Sequence, residues 1–124
     1  MQGSGGNVGI GTNTPQSKLT VNGTITAKEI KVESGWSDFV FEETCDLPSL
    51  NSVESYIKRN GHLPDIPSAN EVEQQGLSVS EMLAKQMQKI EEMTLYLIQQ
   101  KKENDRLKER VVMLEETVIS AVNK

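Results

Sequence analysis

His62 is the single imidazole of this chain and Cys45 its single thiol. Nucleophilic catalysis would have to set one of them, or Ser37, beside a base held by a third group. Sequence alone does not place His62, the only imidazole, beside Cys45 or Ser37. His62 lies in Gly61-His62-Leu63-Pro64-Asp65-Ile66-Pro67, where two prolines remove backbone donors and fix φ. Its expected work is to hydrogen-bond backbone that the prolines leave unpaired. One imidazole per chain, without Cys/His/Asp spacing, makes no metal motif, so neither metal nor cofactor is expected. Glu42-Glu43 and Glu91-Glu92 are adjacent pairs, and neighbours on a helix or strand point apart, so both are read as solvated faces rather than as an acid and a base. Gly9-Ile10-Gly11 lacks the following helix whose dipole a phosphate loop needs. Cys45 is read as a small buried hydrophobe, since a lone cysteine closes no intrachain disulfide. The residues with chemical potential therefore point to a protein that is not an enzyme.

Whatever positions these residues must be built from little apolar material. Of 124 residues 35% are hydrophobic and 4% aromatic, a proportion that leaves part of any core to other chains. The net charge of −5, with no basic run longer than Lys101-Lys102, excludes nucleic acid and anionic membrane as expected partners. No stretch reaches the roughly 18 apolar residues of a membrane span. Residues 1–6, Met-Gln-Gly-Ser-Gly-Gly, read as a cloning scar and linker, which implies a fragment of something longer.

Residues 7–33 carry strand patterning. Leu19, Val21, Ile25 and Ala27 alternate with Thr20, Asn22, Thr24 and Thr26, and the parity slips by one before Ile30 and Val32, which predicts a bulge or bend near Lys28-Glu29. Asn22-Gly23 fits a hairpin turn, but in an intertwined assembly the same glycine admits a neighbouring backbone, and the second reading is preferred. Residues 34–77 form a collar, with an expected core of Trp36, Phe39, Phe41, Leu50, Val53, Ile57, Leu63 and Ile66. Within it Ser49 is an N-cap and Asn60-Gly61 a stop, Ser68-Ala69-Asn70-Glu71 is a capping box, and Gly76 ends a short helix. A second box, Ser78-Val79-Ser80-Glu81, opens the last helix.

From residue 78 onward the pattern is heptad. Leu83, Ile90, Leu97, Asn104, Val111 and Val118 occupy position a, and Gln86, Met93, Gln100, Leu107, Leu114 and Ala121 position d. Nine of these twelve are apolar and no Gly or Pro interrupts them, so the seam must face copies of itself. Parallel packing would join Glu103 to Lys108 and Arg110 to Glu115 across chains, while Gln86, Gln100 and Asn104 set register at a cost in stability. Val at a with Leu at d favours two strands, whereas the glutamine layers and a Gly/Thr-rich strand segment favour three. Three is the expectation and a dimer the alternative.

Several runs resemble the C-terminal segments of tail-fibre proteins from bacteriophages, phage-like particles and Bacteroidetes surface fibres. They are Val8-Gly9-Ile10-Gly11-Thr12 with Pro15, Leu19, Val21, Gly23, Ile25 and Ala27; Gly35-Trp36-Ser37-Asp38-Phe39-Val40-Phe41; Gly61 through Ser68; and Glu91-Glu92-Met93-Thr94-Leu95-Tyr96. The resemblance implies a homotrimer on a virion, a phage-like particle or a cell surface, joined to an upstream shaft and serving host adhesion through a surface receptor. The layout is also similar to that of intramolecular chaperone domains, some of which cleave themselves near a Ser-Asp. Ser37-Asp38 is the one match here, and Phe39-Val40-Phe41 follows it in place of Arg-Leu-Lys, so self-cleavage is not expected. The fold expected is α+β: an N-terminal intertwined β fibre segment, short helices in a collar, and a long C-terminal parallel trimeric coiled coil. The function expected is trimerisation and register setting, with a receptor-binding tip or a self-cleaving chaperone as alternatives.

Overall fold

The computed structural model describes residues 6–33 and 39–123. Among them the chain is mixed helix and strand, and it falls into two compact units, Met1–Val32 and Glu33–Lys124.

In the first unit, β1 (Val8–Ile10) pairs with β2 (Leu19–Val21) in parallel, Val8 against Leu19 and Ile10 against Val21. Parallel strands ordinarily need a crossover of about a dozen residues or more, yet residues 11–18 suffice here. The polar residues of that loop hold the arch. Thr20 Oγ1 accepts from the backbone N–H of Gln16 and Ser17 at 3.0 and 3.2 Å, and Ser17 Oγ donates to the Leu19 carbonyl at 2.8 Å. Asn22 closes the far end, its backbone N–H donating to the Ile10 carbonyl at 2.9 Å and its amide to the Gly11 carbonyl at 3.2 Å. Gly11 has φ 71°, and a Cβ there would meet the Asn22 carbonyl at 3.2 Å. Within the chain the close approaches are thus at Gly9, where a Cβ would collide with the Thr12 carbonyl, and at Gly11, while a Cβ at Gly23 would meet nothing within 4 Å, and Asn22-Gly23 makes no hairpin. Residues 24–33 form no strand and so no bulge at Lys28-Glu29. The period-two pattern is present, but one chain offers it no third strand to pair with, and Ile25 and Ile30 stand exposed.

The second unit is helical. Ser49 Oγ accepts from the Ser52 N–H at 3.2 Å and starts α1 (Leu50–Asn60). Gly61, at φ 74°, ends it by donating to the Ile57 carbonyl at 2.8 Å, a left-handed position where glycine has no Cβ penalty. In the connector, the Leu63 carbonyl accepts from the Ile66 N–H at 3.3 Å across Pro64 and Asp65, whose φ of 64° gives the signature of a type II turn. His62 Nδ1 lies 2.9 Å from that same carbonyl, with its ring edge-on to Tyr56. The capping box at α2 (Ala69–Gln75) is complete: the Ser68 N–H donates to Glu71 Oε2 at 2.7 Å and the Glu71 N–H to Ser68 Oγ at 3.3 Å. These Ser68 donors, backbone first and hydroxyl second, hold the Glu71 carboxyl below its ordinary range.

After Gly76 comes α3 (Val79–Val122), 44 residues and about 66 Å long. The box expected at its start is absent. Ser78 makes no side-chain cap bond, its hydroxyl lying 3.4 Å from that of Ser80. A 3-10 turn, Phe39–Phe41, packs against α3. Val40 in that turn is the one buried apolar residue among the described residues. Among those residues, no helix is long and apolar enough to cross a membrane.

Candidate functional site

The face of α3 that the rest of its unit covers is the unexpected one. Between residues 82 and 96 the buried and half-buried positions are Met82, Ala84, Lys85, Met87, Gln88, Lys89, Glu91, Glu92, Leu95 and Tyr96. In heptad terms these are b, c, e, f and g. Leu83, Gln86, Ile90, Met93 and Leu97, the a and d residues of the same stretch, are all exposed, Leu97 to 67%. Beyond residue 97 nothing among the described residues covers the helix, and Leu107, Val111, Leu114 and Val118 remain open with Gln100, Asn104 and Ala121 between them. Val112 and Ile119 at b and Val122 at e widen the apolar surface near the end.

Polar side chains fasten the covered face. Tyr96 Oη donates to the Pro48 carbonyl at 2.6 Å, joining residues 48 apart in sequence. Burial first, and Glu92 second, push its phenol pKa up. Lys89 Nζ donates to Glu92 Oε2 at 2.9 Å and lies 3.8 Å from Asp65 Oδ2, while Gln88 Nε2 donates to Glu92 Oε1 at 2.8 Å. The Lys89 and Glu92 side chains are only 14% and 13% exposed, so this pair is largely desolvated and removing either partner would strand a charge. Glu91 is buried, only 7% exposed. The reading of Glu91-Glu92 as a solvated face is therefore corrected: the collar covers the off-seam face that carries both. Glu42 and Glu43 are exposed.

Above this cluster Pro48, Leu50, Val53, Leu63 and Pro64 face Lys89, Glu92, Met93 and Tyr96 across a cleft of about 150 Å³. The residues expected in the collar core differ in exposure within the single chain. Val53 and Ile66 are half-buried, but Phe41, Leu50, Ile57 and Leu63 are exposed, because α1 and the connector have no second layer of this chain above them. Trp36, the side chain of Phe39, and Ser37-Asp38 lie outside the described residues.

Along the open face Gln100 Nε2 donates to Asn104 Oδ1 at 3.2 Å, linking two polar seam residues one turn apart. Glu103 pairs with Arg106 at 2.7 Å, whereas Lys108, Arg110 and Glu115 enter no ion pair among the described residues. No group of three or more His, Cys, Asp or Glu among them is placed to hold a metal. Tyr96 and Lys89 were missing from the sequence-based site. The signal for them was present in Met82, Met87, Leu95 and Tyr96, apolar or aromatic residues off the seam and all before residue 97. No family model, curated protein or solved structure matches the chain.

Proposed function

We propose that this chain is a non-enzymatic assembly module that trimerises in parallel through the a/d seam of α3. One observation carries the reading: the collar lies off the a/d seam of α3 and leaves that seam open. A chain evolved to fold alone would bury its apolar stripe first, since apolar burial at about 25 cal/mol/Å² is the main gain in folding. The heptad pattern names the occupant as further copies of the same helix, and Lys108, Arg110 and Glu115, unpaired within the described chain, are at the e and g positions that meet across a parallel seam. The apolar surface widened by Val112, Ile119 and Val122 favours three helices over two.

In this reading the coil raises the effective concentration of three β arches, which alone are too small to persist, so their pairing follows helix association. The tail-fibre or surface-fibre setting, with a shaft upstream and a receptor on a host surface, rests on the resemblance of Val8–Thr12 and Gly61–Ser68. Sedimentation equilibrium at micromolar concentration tests the assembly: a mass three times 13.8 kDa is expected, and conversion to monomer by Leu107→Asp. A monomeric wild type overturns the reading, and a dimer overturns the number three.

A further inference from the structure

The cleft beside Tyr96 is open where a neighbouring copy would pass. We infer that the collar of each chain straps onto the next, its Leu50 and Leu63 closing over Ile98 of the neighbouring copy. This rests on the parallel seam proposed above. Met93 is both a d residue of that seam and a wall of the cleft, so the two surfaces are continuous. Lys89 and Tyr96, on the same wall of the cleft, are g residues. In a parallel coil a g residue meets the e residue five positions on in the adjacent chain, which sets the level of Lys89 and Tyr96 against Thr94 and Lys101 of the neighbour.

Ile98 stands between those two, at b, on the flank that turns toward the first chain's collar. It is 46% exposed and belongs to no seam layer, and Leu50 and Leu63 are exposed at the cleft mouth. Lys101, which comes with Ile98, is paired to Asp105 at 2.6 Å, so it carries no surplus charge into the cleft.

The test is interchain cross-linking in Cys45→Ser carrying Leu63→Cys and Ile98→Cys, with a short bismaleimide and denaturing electrophoresis, beside native mass measurement. A covalent trimer is expected, and amides of α1 are expected to exchange about fivefold faster or more in Ile98→Gln while its native mass stays unchanged. A native trimer that yields only monomer bands, with α1 exchange unaltered in Ile98→Gln, overturns the strap and leaves the coil standing. A native monomer overturns the coil itself.

Discussion

Replacing Tyr96 with Phe isolates the clasp between the collar and α3. The change removes one hydroxyl, whose 2.6 Å bond to the Pro48 carbonyl is a polar link across 48 residues, and keeps the ring. An intramolecular hydrogen bond is worth about 0.5–1.5 kcal/mol net. Pro48 is exposed, so its carbonyl regains water and no further desolvation cost is added. We therefore expect a loss of about 1 kcal/mol per chain, which for a unit of this size is a fall in Tm of roughly 4–8 °C. The seam is untouched, so the native mass should not change.

A pH series provides the second arm. The Tyr96 phenol pKa is raised in the fold by burial and by Glu92, so folding favours the neutral form. The stabilisation is fully present below the unfolded value near 10 and is lost as pH rises through the higher folded value. Wild-type Tm should therefore fall more steeply than that of Tyr96→Phe in alkali, and the two curves should converge. Circular dichroism melts from pH 7 to 12 read both effects. Equal Tm at pH 7, or parallel curves above pH 10, would refute the clasp.

Asn104→Leu replaces a seam amide with an apolar layer, and should raise the urea midpoint by the equivalent of about 1–2 kcal/mol per chain while broadening the distribution of assembled masses. A lowered midpoint with one sharp species would contradict the register role. Ser68→Ala should cost about 1 kcal/mol through the lost cap. Since the Glu71 carboxyl is held below its ordinary value, its contribution is present above the unfolded pKa and lost as pH falls through the folded one. An acid titration followed by circular dichroism should show that step shrink in Ser68→Ala.

Local signals were the legible ones. Ser49, Gly61, Ser68 with Glu71, and Gly76 stand where the helices begin and end, because caps and left-handed stops are decided within four residues. The failure at Ser78 has the same scale, its hydroxyl turning to Ser80 instead of the backbone. What the sequence hid was non-local. The pairing of Val8–Ile10 with Leu19–Val21 depends on Thr20 and Asn22 reaching backbone across the arch, and no periodicity announces that. The seating of the collar on the off-seam face was hidden because heptad reading assigns such residues, Leu95 and Tyr96 among them, to solvent.

The order of elements along the chain also sets a timetable. The arch at residues 8–21 leaves the ribosome before α3, whose 44 residues take roughly 2–9 s to translate. Under the proposed assembly the arch has no sister to meet through that interval, and what it shows is one face of Val8, Ile10, Leu19 and Val21 with Gly9 and Thr20 behind. Strands of three residues bordered by Thr, Ser and Asn are poor templates for nascent chains on neighbouring ribosomes. The brevity that makes the arch too weak to stand alone is thus what lets it wait.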